Sequence, residues 1–180
     1  MTETKMVDVR ARQQPLRERY KVAPAEAMIT DHARTVRGVE IDPFHGTVVP
    51  GSQDYGIEWP FGIHSAVGGD HDGPNPGDLL CAALATCLDS TIRIIANRLA
   101  ISLVALEVDV SAQVDTRGTL VVDRTTPVGF QRMRCQVAIQ PAEGTDPQLV
   151  EKLLAAAEYS CVNLQTLRSG VAVELGVTSG

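Results

Sequence analysis

The chain has 180 residues, 44% hydrophobic and 21% charged, with a formal net charge of −6. That length suits one domain whose core needs no disulfide staples. The acidic balance leaves no footprint for nucleic acid, and no apolar run approaches the roughly 18 residues of a membrane span.

The N-terminal residues, about 1–25, read as a solvated arm closed by Ala23-Pro24, followed by a single domain over 26–180. Arg10, Arg12, Arg17, Arg19 and Lys21 cluster there, diluted by Asp8, Glu18 and Glu26. No apolar core of a secretory signal precedes them. The expected location is the cytoplasm, where thiols stay reduced. Four cysteines in such a compartment point to catalysis, metal binding or packing before a disulfide framework.

From Ala27 to Pro60 short β-like pieces, Gly46–Val49 and Tyr55–Trp59, are broken by Asp42-Pro43 and Pro50-Gly51. Gly68 to Pro76 is too rich in glycine and proline for anything but a loop, and Pro76 suits a first helical turn. A long helix is predicted over about Pro76–Leu99, with Leu80, Leu84, Leu88, Ile92, Ile95 and Leu99 forming its apolar stripe. Cys81 and Cys87 flank that stripe. They lie about 9 Å apart along the axis and ~120° apart around it. An intact helix therefore cannot join them by a disulfide.

Leu106, Val108, Val110, Ala112 and Val114 alternate with polar residues, which predicts a half-buried strand. Gly118 marks a turn, followed by a predicted short strand, Thr119–Val122. Met133, Cys135, Val137 and Ile139 alternate in another strand. A second long helix opens at Thr145-Asp146-Pro147, with Val150, Leu154, Ala157 and Cys161 on one face. A short helix follows to about Arg168, ended by Ser169-Gly170, and Val171, Val173 and Leu175 predict a closing strand. The predicted class is α+β, with two helices covering one face of an antiparallel sheet.

Cys87 and Cys161 stand 74 positions apart on the apolar stripes of two predicted helices. Stripe-to-stripe packing would bring their sulfurs together, as core or as a redox centre. Cys135 and Cys81 read as small buried hydrophobes. His64, His71, Asp70 and Asp72 surround one loop and, with Cys87, define a minor alternative of metal binding or hydrolysis, but the spacing matches no zinc pattern. No nucleophile elbow or phosphate-binding glycine loop is present.

The stretch Gly68-Gly69 through Asn75-Pro76 and the alanine-rich helix to Cys87 resembles the signature of the OsmC/Ohr family. That signature is a Gly-Gly loop, an Asn-Pro helix start and a cysteine twelve residues after the asparagine. Cys161-Val162 is similar to the family's second cysteine, and Val171–Leu175 to its closing strand.

The resemblance implies antiparallel sheets packed on two main helices in an interlocked homodimer. It also implies reduction of organic hydroperoxides without metal, flavin or other cofactor. Cys87 would attack the peroxide and Cys161 resolve the sulfenic acid. A dithiol, such as a lipoylated protein, would restore the pair. The alkyl group would lie near Leu84, Leu88, Trp59 and Phe61.

The family's glutamate after Asn-Pro is here Gly77. Asp78 is either a partial substitute or a helix-start acid. The family's activating arginine falls on Arg34 or Arg37. Val162-Asn163 replaces the family's Pro-Val. The alternative is a member that keeps the fold and binds a small apolar or thiol ligand at the dimer interface without peroxidase activity.

Overall fold

The computed structural model describes residues 7–37, 41–51 and 55–177. The described chain divides into two compact units. The first comprises the stretch ending at Arg10, Ala83–Asp109 and the chain from Gln136 on. The second comprises Ala11–Ala82 and Val110–Cys135.

The expected arm carries a helix, α1 (Val9–Val22), with no buried residue. Its start is held in the first unit. Asn97 accepts the Val9 N–H at 2.9 Å and donates to the Val7 carbonyl at 2.8 Å. Arg10 donates to the Arg98 carbonyl at 2.8 Å.

The second unit contains a three-stranded antiparallel sheet of β1 (Ala33–Thr35), β2 (Gly46–Pro50) and β3 (Trp59–Phe61). The registers are Arg34 opposite Val49 and Val48 opposite Trp59. The predicted Tyr55–Trp59 strand thus begins only at its last residue and runs on to Phe61. The glycine loop is closed by backbone contact. His71 N–H donates to the Ile63 carbonyl at 3.0 Å. A Cβ at Gly69 would stand 2.2 Å from that same oxygen, so only glycine permits this approach.

Next comes α2 (Pro76–Arg98). Its start is a capping box: Asn75 Oδ1 accepts the Gly77 N–H at 2.8 Å, and Asp78 Oδ2 accepts the Asn75 N–H at 2.9 Å. Its end is a Schellman closure. Ile101 N–H reaches the Ala96 carbonyl at 2.9 Å, and Ala100 N–H the Asn97 carbonyl at 3.1 Å. Ala100 takes the left-handed conformation, φ 56°, that this closure demands.

By length and composition α2 is apolar enough to cross a membrane, contrary to the reading of apolar runs. Its buried stripe is Leu84, Leu88, Ile92 and Ala96, while Leu80 and Leu99 are exposed. With Ile101, Leu153, Ala157 and Cys161 these residues form the core of the first unit. Each fully buried leucine or isoleucine contributes roughly 1.5–3 kcal/mol.

A two-stranded sheet follows, β4 (Leu103–Gln113) with β5 (Arg132–Pro141). Main-chain bonds from Gln131 to Gln113 and from Ala142 to Ser102 bracket it, so the strands are antiparallel. The predicted alternation is present: Leu106, Val108 and Val110, and Met133, Cys135 and Val137, are half-buried between exposed polar neighbours. Between the strands the expected Thr119–Val122 strand is absent. Asp115 instead caps a short helix, α3 (Thr116–Thr119), by accepting the Arg117 N–H at 3.0 Å.

The second long helix, α4 (Pro147–Ser160), is capped by Asp146, which accepts the Gln148 N–H at 2.9 Å. The short helix, α5 (Val162–Ser169), stops at Gly170, φ 72°. The expected closing strand Val171–Leu175 pairs with nothing among the described residues. Val171, Val173 and Leu175 are 69%, 86% and 93% exposed. Alternation gives these residues a sheet face, but a strand also needs a neighbouring edge.

Candidate functional site

Cys161 is the single non-helical residue between α4 and α5, with φ −74° and ψ 108°. Its N–H still donates to Ala157 at 2.9 Å, and its carbonyl already accepts from Gln165 at 3.0 Å. One residue therefore ends one helix and begins the next, which leaves its side chain little backbone freedom. The elbow is clamped on its outer side. Gln165 Nε2 donates to the Glu158 carbonyl at 2.8 Å, and Arg168 Nη1 to the Glu158 carboxylate at 2.7 Å.

Cys161 is completely buried, and Cys87 of α2 is half-buried. Their sulfurs are 3.4 Å apart, with the Cys161 thiol donating. This is contact without a bond, since a disulfide needs about 2.05 Å. Both are free thiols. Around Cys87, the Ser90 and Thr91 hydroxyls donate to its carbonyl at 3.0 and 2.7 Å.

From the other side, Asn163 Nδ2 donates to the Ala83 carbonyl, one turn before Cys87, at 2.7 Å. Burial pushes the Cys161 pKa up. The first N–H groups of α5, those of Leu164 and Asn163, oppose the shift without closing a capping hydrogen bond, and proximity to Cys87 adds to it. Cys161 is thus a protonated thiol at neutral pH. The arrangement suits a dithiol that converts to a disulfide with little rearrangement.

Cys81 and Cys135 are half-buried residues of the second unit. Asp78 is engaged as the reciprocal half of the capping box, with Asn75 Nδ2 donating to the same oxygen at 2.6 Å. A Cβ at Gly77 beside it would meet Asn75 Oδ1 at 2.9 Å and the Phe130 ring at 3.0 Å, so those side-chain ends would have to shift.

Arg34 sits on β1 and Arg37 just beyond it, both exposed residues of the second unit. Trp59 and Phe61 belong to β3 of that unit. Leu84 and Leu88, expected against a substrate, are instead core residues, 2% and 5% exposed, because they form the inward stripe of α2.

Among the described residues no three His, Cys, Asp or Glu side chains are grouped to hold a metal ion. The His64 and His71 rings do pair, with centroids 4.1 Å apart, and His64 Nδ1 accepts the Ala66 N–H at 2.9 Å. A clasp that sequence reasoning missed joins the 42–45 loop to the glycine loop. His45 Nδ1 contacts Asp42 at 2.8 Å and Nε2 contacts Asp72 at 3.1 Å. A neutral imidazole donates from one nitrogen only, so two carboxylate partners favour the imidazolium. The His45 pKa is accordingly raised, first by Asp42 and then by Asp72.

Fold and site together define a mixed α+β protein whose helices hold two cysteine thiols in contact. The OsmC-like protein family profile matches residues 69–176, more than half of the chain. The chain belongs to that family.

Solved structures agree on the fold. An OsmC-like protein from Mycoplasma pneumoniae matches with a TM-score of 0.62 at 13% identity, covering 79% of this chain and 89% of that one. An organic hydroperoxide resistance protein from Elizabethkingia anophelis matches at 0.59 and 17%, covering 79% and 91%. Another, from Legionella pneumophila, matches at 0.52 and 23%, covering 78% and 90%. No curated protein matches the chain.

Proposed function

We propose that the protein reduces organic hydroperoxides through Cys87 and Cys161. The observation that carries this reading is the 3.4 Å contact between two free sulfurs, one half-buried and one buried. Cys87, the more accessible, attacks the terminal hydroperoxide oxygen as thiolate. A sulfur–oxygen bond forms, the peroxide bond breaks, and the alkoxide leaves with a proton as the alcohol. Cys87 is then a sulfenic acid.

Cys161 attacks the Cys87 sulfur. The sulfur–sulfur bond forms, and hydroxide leaves with the Cys161 proton as water. A dithiol reductant, of the kind a lipoylated protein carries, returns two electrons by exchange. Asp78 serves the helix start in this reading, and Arg34 or Arg37 remains the proposed thiolate partner. A cytoplasmic setting would keep the resting pair reduced.

A homodimer is part of the proposal. Neither β4 nor β5 contains a fully buried residue in the single chain, and their inward faces are covered only by half. A second copy would supply the missing cover.

The alternative reading is an OsmC-fold protein that binds a small apolar or thiol ligand at a dimer interface. It is favoured by one observation: where the resemblance implies a glutamate in the peroxidases, this chain has Gly77, packed tightly beside the Phe130 ring. Thiol counting before and after one equivalent of cumene hydroperoxide, with peptide mapping, decides between them. Rapid loss of two thiols, mapped to a Cys87–Cys161 disulfide, is the expected result. Four free thiols after prolonged exposure would overturn the peroxidase reading and leave the binding protein.

A further inference from the structure

We propose that Asn163 is a positioning residue for the thiol pair, holding Cys161 against Cys87 by tying the start of α5 to α2. The inference deepens the thiol-pair reading and rests on it. Cys161 is placed by α5 and its elbow, whereas Cys87 is placed by α2. Besides the sulfur contact itself, the hydrogen bond from Asn163 Nδ2 to the Ala83 carbonyl, 2.7 Å long, joins these two elements. It spans 80 residues of sequence and ends within one turn of each sulfur.

At helical spacing the Ala83 carbonyl is also the acceptor facing the N–H of Cys87. The tether therefore acts on the turn that carries the nucleophile. The clamps at Glu158 fix α5 against α4 only and do not reach α2. Asparagine suits the place because its short amide offers two donors, and it stands where a start-of-helix residue keeps its side chain beside the first turn.

A tether of this kind acts on the closing step rather than on attack at the peroxide. When Cys161 attacks the Cys87 sulfenic acid, the sulfurs must approach by about 1.4 Å, from 3.4 Å to the ~2.05 Å of the bond. Without the tether, the clamped elbow can shift as a unit against α2 and the sulfurs spend less time in line. One exposed hydrogen bond corresponds to about a three- to tenfold change in such an equilibrium.

The test compares the intact protein with Asn163→Asp and Asn163→Leu. Aspartate cannot donate at neutral pH but favours a helix start, so α5 persists. Leucine keeps the approximate volume without the donor. Each protein is equilibrated with oxidised and reduced glutathione, which needs no hydroperoxide. The Cys87 thiolate takes one glutathionyl group and releases one glutathione, and Cys161 displaces the second.

The expected result is a Cys87–Cys161 disulfide about three- to tenfold less favoured in both variants, and partial recovery in Asn163→Gln. After one equivalent of cumene hydroperoxide, trapped Cys87 sulfenic acid should persist longer. A merely structural residue would lower the melting temperature and leave the folded pair's equilibrium alone. Variants within twofold of the intact protein in that equilibrium overturn the proposal.

If both variants fail to fold, the side-chain amide of Asn163 in the intact protein decides. One slowly exchanging proton supports the tether, and two freely exchanging protons overturn it. An intact protein that forms the disulfide with glutathione but spares the hydroperoxide refutes the peroxidase and leaves the Asn163 result standing.

Discussion

Cys161→Ser removes the resolving sulfur while keeping nearly the same shape, and two separate effects are expected. The first is on stability. Cys161 is fully buried, so the new hydroxyl sits in a site built for sulfur. Its desolvation costs about 1–3 kcal/mol unless a partner is found, which lowers the melting temperature by about 3–10 °C. The second effect is on chemistry. In the intact protein the attacking sulfur is already 3.4 Å from its target. Well-oriented intramolecular reactions reach effective concentrations of ~10⁵ M or more. Even an effective concentration of ~1 M exceeds an external thiol at about 1 mM by ~10³-fold.

The variant should therefore consume one equivalent of hydroperoxide and then stall, with Cys87 held as a sulfenic acid. Rapid-quench trapping with a sulfenic-acid-specific carbon nucleophile, followed by mass spectrometry, reads that species directly. Wild-type turnover by Cys161→Ser, with no trapped sulfenic acid, would refute resolution through Cys161.

Three other outcomes follow from the same structure. Ala100→Gly relieves a left-handed alanine in the closure of α2, and should raise stability by about 0.5–1 kcal/mol after the loss in the unfolded chain is counted; an unchanged denaturation midpoint would contradict this. Gly77→Glu, which restores the family residue, should destabilise by about 1 kcal/mol, because its Cβ displaces the Asn75 cap or the Phe130 ring; a midpoint equal to wild type would show that the site has room.

His45 should titrate above 6.5 by NMR. Its folded pKa is raised, so the clasp's contribution is complete below pH 6.5 and fades as pH rises through the folded value. Asp42→Asn should lower that pKa more than Asp72→Asn, and a wild-type value at 6.5 would dismiss the clasp.

The helices were legible in the sequence because their signals are local. Asn75-Pro76 and Asp146-Pro147 announce starts through side chains that reach only two or three residues, and Gly170 announces a stop. The stripe of α2 was legible apart from its ends, where Leu80 and Leu99 meet no core and Ala96 does. Strands were harder. The three-residue β1 has too few positions to show a period, and Val171–Leu175 shows a period but pairs with no edge among the described residues.

The contact of Cys87 and Cys161 was suggested by helix stripes and by the family resemblance; neither gives a distance. Asn163 left no trace because its acceptor is a main-chain carbonyl, which any residue could supply. The same is true of the arm: a run of dispersed charges hid a helix anchored through polar links to Asn97 and the Arg98 carbonyl.

That anchor changes what trimming the N-terminus would do. Measured by burial, nothing from Val9 to Val22 is needed. Measured by polar partners, Asn97 reads Val7 and Val9 as a neighbouring strand would, and Arg10 covers a carbonyl that the last turn of α2 cannot satisfy itself. Trimming through Arg10 would remove these links, and trimming that stops short of Val7 would spare them. The far end of the helix that bears Cys87 is therefore finished by residues that a surface map would mark as expendable.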